Sequence, residues 1–233
     1  MTSQKEFRLH ALMCAIGGYT GAYSLLRCHE NFGAAQTANL IAMLKGLLGG
    51  DIFQFLLRLL GLACYVAGIE TYVFVSRRTA FNPQKWVLIT QVCCLGIVGL
   101  MPVSAGPFAC LYPIFYMMAA QWSEFHGACG YNASTIFSSN NVRQLALAIG
   151  EYCCDHDAAQ AEKARFFGLT LLSYHAGVCA VLLAYPLVAQ RSIWFCLIPV
   201  LLAARIIFRA PEGVRAVRGF SIAQRSLLKN TGR

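Results

Sequence analysis

Residues 88–121, LITQVCCLGIVGLMPVSAGPFACLYPIFYMMAAQ, pass through thirty-four positions without one Asp, Glu, Lys or Arg. No water-facing surface can be built from such a stretch, so it lies in lipid or in protein surrounded by lipid. The rest of the chain agrees. Of its 233 residues 58% are hydrophobic and 12% charged, and the mean hydropathy is +0.55. That is far more apolar than a water-soluble domain of this length.

The net charge of +9 raises the question of a nucleic-acid partner. The cations, however, gather at the chain ends and in one loop, SRRTAFNPQK (76–85), rather than on an aromatic-interleaved face. They read as topology signals, and no nucleic-acid partner is expected. Eleven cysteines, several inside apolar runs (Cys14, Cys64, Cys179, Cys196), form no CxxC pair and no finger spacing, so they read as small buried hydrophobes. Lys5 and Arg8 ahead of an apolar run resemble a signal peptide, but no small-x-small cleavage site follows it cleanly and more hydrophobic segments come after, so the run is taken as a first span.

Six segments have the length and composition to span: 9–26, 52–75, 86–101, 107–123, 166–189 and 192–208. Two more, Phe32 to Leu48 and Thr135 to Gly150, are apolar but carry polar clusters inside. Cytoplasmic loops are enriched in Lys and Arg. The tail beyond Phe208 (Arg209, Arg215, Arg218, Arg225, Lys229, Arg233) and the N-terminus then lie inside, and the loop with Arg77, Arg78 and Lys85 joins them only if Phe32 to Leu48 half-crosses. The same rule applied to Thr135 to Gly150 puts Lys163 and Arg165 inside and leaves Arg191 outside. The expected fold is therefore an all-α integral membrane protein with about six spans and two half-membrane helices, in the inner (plasma) membrane, both termini cytoplasmic.

The chain also repeats at an offset near one hundred residues. Thr37-Ala38-Asn39-Leu40 aligns with Ser139-Asn140-Asn141-Val142, Arg58-Leu59-Leu60-Gly61-Leu62 with Arg165-Phe166-Phe167-Gly168-Leu169, and Tyr65 to Ile69 with Tyr174 to Val178. Each half has three crossings, an odd number, so the second enters from the opposite face and the repeat is inverted. The halves are placed at 1–105 and 106–209, with a basic cytoplasmic tail at 210–233 that has the makings of an amphipathic surface helix. Gly17 and Gly21 (a GxxxG pair), with Gly61, Gly68, Gly168 and Gly177, read as close-packing positions.

Together IGGYTGAYSLL (16–26), FGAAQTANLI (32–41), RLLGLACYVAGI (58–69) and YNASTIFSSNNVRQL (131–145) resemble the YoaK family of uncharacterised bacterial membrane proteins. The resemblance implies several spans and a Thr-Gly-Asn-like motif in each half, but no substrate or mechanism. Here Ala38 and Asn140 stand where glycine would be usual, and Ser139 where threonine would. Without glycine a backbone nest for an ion loses its freedom, and recognition shifts to side chains.

Those side chains are Gln36, Thr37 and Asn39 in the first segment and Ser138, Ser139, Asn140, Asn141 and Gln144 in the second. Their amides and hydroxyls suit a small polar solute or a dehydrated ion; the alternative role is to cap the half-helices. Intramembrane charges fall at Arg58, Glu70 and Arg143. Arg58 and Glu70 are about 18 Å apart along one helix, so Glu70 is expected to pair with Arg143, and Arg58 to reach Asp51 or Glu30. His175 is the candidate for proton coupling. Cys153, Cys154, His156 and Asp157, with His126 and Cys129, are metal-ligand types, but their spacing fits no structural zinc pattern, so no metal and no cofactor is expected. No catalytic motif is present.

The sequence thus points to a transporter or channel between the two Thr/Ser-x-Asn segments. Its rivals are a membrane enzyme using the Cys/His/Asp cluster and a non-transporting scaffold. The expected partners are the bilayer, a small polar solute or ion, and further copies of the chain.

Overall fold

The computed structural model describes residues 2–28, 32–34, 36–102 and 104–209. The basic tail 210–233, Glu30 and the proposed surface helix lie outside the described residues. Among these residues eight α-helices run in order: α1 (Ser3–Arg27), α2 (Gln36–Leu48), α3 (Ile52–Arg78), α4 (Pro83–Leu100), α5 (Pro107–Glu124), α6 (Ser139–Asp155), α7 (Ala158–Val188) and α8 (Leu197–Phe208). A short hairpin, β1 (Gly127–Ala128) and β2 (Tyr131–Asn132), follows α5, and a 3-10 stretch, Ala189–Cys196, joins α7 to α8.

Local chemistry explains most boundaries. Asp51 accepts from Gln54 N–H to start α3, Asn82 accepts from Gln84 and Lys85 N–H ahead of Pro83 to start α4, and Asp157 accepts from Ala159 N–H to start α7. His156 closes α6 in the left-handed region. Cys129 and Gly130, with φ of 53° and 82°, form the two-residue hairpin turn that positive φ favours.

Side-chain contacts fix the helix directions. His10 stacks on Phe166 and Tyr23 meets Tyr185, so α1 and α7 run parallel. Tyr112 donates to the Leu57 carbonyl and Tyr72 to Glu124, so α3 and α5 also run parallel. Gln121 donates to the Met13 carbonyl while Thr20 touches Met118, so α5 opposes α1. The α4 helix ends beside α1's end, where Gln190 donates to the Met101 carbonyl and Arg27 to the Ala105 carbonyl. From there the 3-10 stretch and α8 descend along α4, from Trp194 at Gly99 to Phe208 under Lys85.

Among the described residues, three stretches are long and apolar enough to cross a membrane: α3, α4 and the run 158–208 that contains α7 and α8. The outer surface is apolar as well. Leu183 is 74% exposed, Leu172 66% and Phe53 66%, a surface suited to lipid. The chain is a membrane-embedded all-α protein.

Of the six spans expected, α3, α4 and the run 158–208 carry the apolarity of lipid-crossing helices among the described residues. Neither α1 nor α5 reaches the apolarity of the other three. Both are enclosed by protein, α1 being buried almost without interruption from Leu9 to Ser24 and α5 from Cys110 to Gln121. A helix walled by other helices needs small and polar residues for packing rather than a lipid-compatible exterior.

Glycines permit that enclosure. A Cβ on Gly18 would overlap the Tyr174 carbonyl, and one on Gly177 the Ala15 carbonyl, at the α1–α7 contact; one on Gly68 would overlap the Tyr116 carbonyl at the α3–α5 contact. The first helix of each sequence half therefore packs on the third helix of the other, while α2 lies on α3 and α6 on α7.

Candidate functional site

Both polar segments leave one end of the bundle, dip inward and return to that end as a helix. From the top of α1 the chain turns back so that Gly33 N–H donates to Ser24 Oγ and the Phe32 ring lies on Gly21. It then climbs as α2, antiparallel to α3, to Asp51. At the opposite end the hairpin meets the start of α1, Cys129 N–H donating to the Glu6 carboxylate. The buried loop segment Ala133 to Ile136 follows, with the Thr135 carbonyl against Gly17, and the chain returns as α6. Gly17 and Gly21 lie one turn apart on one face of α1, so the two tips converge from opposite ends.

The helices that follow are short, 13 residues for α2 and 17 for α6, or about 20 and 25 Å. Residues 36–43 and 138–145 share one burial order: half-buried, two exposed, buried, two exposed, two half-buried. Asn39 and Asn141 are the buried members, 5% and 0% exposed. Asn141 uses its whole amide on one residue, accepting from Ser134 N–H at 3.1 Å and donating to the Ser134 carbonyl at 2.7 Å. Asn39 uses half of its own, donating to the Arg58 carbonyl at 3.3 Å and leaving Oδ1 buried without a partner.

More polar atoms are left over at the two helix starts. Gln36 keeps both amide atoms buried and unpartnered, and so does Ser138 its Oγ. Ser138 sits at the N-cap of α6 yet makes no cap hydrogen bond. Helix starts carry free N–H groups and the positive end of the helix dipole, and burying them in a membrane protein calls for a partner. The arrangement can bind a small ligand able both to donate and to accept.

The other candidates fall elsewhere. Thr37, Ser139 and Asn140 are exposed, and Gln144 is half-buried. Glu70 and Arg143 form no ion pair: both are exposed, on an α3 that packs against α5, α2 and α4 and an α6 that packs against α7. Arg58 is half-buried, 5.4 Å from the Phe108 ring centroid, and Asp51 caps α3. His175 faces outward with Nδ1 2.8 Å from the Leu171 carbonyl. Cys153, Cys154, His156 and Asp157 are exposed, and among the described residues no three His, Cys, Asp or Glu side chains gather as a metal site.

Sequence reasoning missed Phe32, Ser134 and Thr135 at the tips and a polar core beside α1. There Gln91 donates to Gln121 at 2.7 Å and Gln121 to the Met13 carbonyl at 2.8 Å, both glutamines fully buried. Two amides within the charge-free run 88–121 were the available signal.

Residues 9–206, which hold most of α1, both tips and every helix through most of α8, match a family model described as a protein of unknown function, DUF1275. The chain belongs to the DUF1275 family. No curated protein and no solved structure matches it. The DUF1275 match takes in all the polar atoms left unpartnered at the two helix starts, while the basic tail lies beyond it.

Proposed function

We propose that this protein carries a small polar solute or ion across the membrane between the two polar segments, as a transporter or channel built from an inverted repeat of six spans and two re-entrant half-helices. The halves are residues 1–105 and 106–209. The single observation carrying this reading is the convergence of two dipping segments on one face of α1 from opposite ends, each with unpartnered buried polar atoms at its helix start. The exchanged packing, first helix of one half on third helix of the other, supports the duplication. The shared burial order of 36–43 and 138–145 supports it too.

Charge supports the orientation. Lys5, Arg8, Arg77, Arg78, Lys85, Lys163, Arg165 and Arg209 belong to the end of the bundle where α1 starts, against Arg27, Lys45 and Arg191 at the other. With positive charge inside, both termini face the cytoplasm and the membrane is the plasma membrane.

One observation favours a second reading. Phe32 and Thr135 pack directly on Gly21 and Gly17, and the two described concavities lie elsewhere, on the outer face of α6 and between α4 and α8. Tips sealed this way also suit a non-transporting scaffold subunit. A liposome uptake screen over small polar solutes and ions separates the two. Gln36→Leu and Ser138→Ala should cut the flux of whichever solute the wild type accumulates, by tenfold or about 1.4 kcal/mol in barrier. Full flux in both variants overturns the site; no flux of any solute in the wild type favours the scaffold.

A further inference from the structure

We propose that His10 is a proton-binding residue at the head of a buried polar string that runs along the α1–α7 interface to the tip of the first polar segment. The inference rests on the transport reading in one respect, that the string ends at the proposed site.

His10 is 2% exposed, and its ring stacks on Phe166 with centroids 5.5 Å apart. Its Nε2 lies 3.5 Å from Cys14 Sγ, one turn further along α1, and its Nδ1 is buried with no partner. Across the interface, Thr170 is one turn beyond Phe166 on the same face of α7; it is 0% exposed and its Oγ1 is also unpartnered. Tyr174 follows one turn later, its carbonyl against Gly18 and its hydroxyl at Gly21, where the Phe32 ring also rests. One turn before His10 stands Glu6, half-buried, at the end of the bundle. Groups able to take or pass a proton therefore succeed one another at helical spacing from the end of the bundle to the tip.

A packing histidine ordinarily has both ring nitrogens satisfied. His10 leaves one nitrogen unsatisfied and Thr170, on the neighbouring helix, leaves its hydroxyl unsatisfied; a water held between the two helices would supply what each lacks and give the ring a proton donor. His175, by contrast, faces outward with its Nδ1 already placed on a backbone carbonyl.

The ionisable neighbours can all be named. On α1 they are Glu6 and Cys14; on α7, Glu162, Arg165 and Tyr174. The hairpin brings Tyr131, whose ring lies 4.8 Å from Phe166, and Cys129, while α8 carries Arg205 on its exposed side. The α4 and α5 helices present the neutral pair Gln91 and Gln121.

The test is histidine-selective magnetic resonance on the full chain in lipid nanodiscs, with ring-labelled histidine and pH as the variable. His10→Gln assigns the signal; if that variant does not fold, removing the other four histidines assigns it instead. The His10 signal should titrate reversibly, and Thr170→Val should move its midpoint by at least about 0.5 pH unit. A signal that does not respond to pH, or a midpoint untouched by Thr170→Val, overturns the proposal. Solute flux with a silent His10 sinks this inference and leaves transport standing; a titrating His10 in a protein that moves no solute does the reverse.

Discussion

Replacing Gly68 or Gly177 with alanine tests the exchanged packing of the two halves. At Gly177 a methyl would overlap the Ala15 carbonyl and crowd Tyr19 N, and at Gly68 it would overlap the Tyr116 carbonyl and crowd Ala119 Cβ. The obstacle in each case is helix backbone, which cannot rotate away as a side chain would. Relief requires the helices to separate by more than about 1 Å along a contact close-packed on both sides. Overpacking of this kind costs about 1–3 kcal/mol, and losing the close Cα–H···O approach adds about 0.5–1 kcal/mol. A loss of about 2–4 kcal/mol per variant corresponds to about 5–15 °C in a chain of this size. Trp86, Trp122 and Trp194 report melting in detergent by fluorescence. Gly96→Ala and Gly150→Ala are the controls, since neither methyl would meet anything within 4 Å; each should gain about 0.5–1 kcal/mol from helix propensity. If Gly68→Ala and Gly177→Ala melt with the controls, the pairing of α3 with α5 and of α1 with α7 is wrong.

Gln121→Leu should cost about 1–3 kcal/mol by leaving the buried Gln91 amide without its partner and removing the extra bond to the Met13 carbonyl, while adding Gln91→Leu should recover most of it, as measured by the same melting curves. Asn141→Ala strips both backbone groups of Ser134 of their partner and should lower stability by about 2–4 kcal/mol, whereas Asn39→Ala, losing one bond at 3.3 Å, should cost about 1 kcal/mol. Ala189 ends α7 with φ 48° and ψ −130°, a conformation glycine prefers, so Ala189→Gly should raise the melting point by the equivalent of about 1 kcal/mol. Burial pushes the Cys28 thiol up to about 12; a thiol reagent at neutral pH should modify the exposed Cys153 and Cys154 and spare Cys28, and equal labelling measured by mass spectrometry would contradict its burial. Single cysteines at Arg78 and Arg191, in a cysteine-free background, should label from opposite sides of the membrane.

The membrane class was legible in the charge-free run 88–121, because lipid leaves a compositional mark that survives any rearrangement of helices. The two polar segments were legible for a related reason: Gln36 to Asn39 and Ser138 to Asn141 interrupt apolar sequence that could otherwise have continued. The partner of each helix was not legible. Glu70 and Arg143 have opposite charges and plausible depths, yet which faces of α3 and α6 meet protein depends on glycines that a single sequence shows only as small residues. Gly61 and Gly168 align in the repeat but do different work, Gly61 receiving the Phe115 ring while Gly168 has only Leu145 near. His175 and His10 are equally visible as letters; burial separates them, and burial is a property of the finished packing. Asn39 and Asn141 match in sequence and in burial, but only Asn39 keeps a free acceptor, because Ser134 has no counterpart that takes up the other amide.

The enclosure of α1 by α7 has a consequence for how the chain is made. The helix with the polar and small residues is synthesised first, and the helix that covers its His10, Gly18 and Gly21 face leaves the ribosome some hundred and fifty residues later. Until then α1 stands in the bilayer or its insertion machinery with that face unsheltered, and α3 waits in the same way for α5. A chain cut between the halves would leave each fragment without its principal neighbour, so neither should accumulate alone, while the two expressed together hold every contact needed to rebuild the whole.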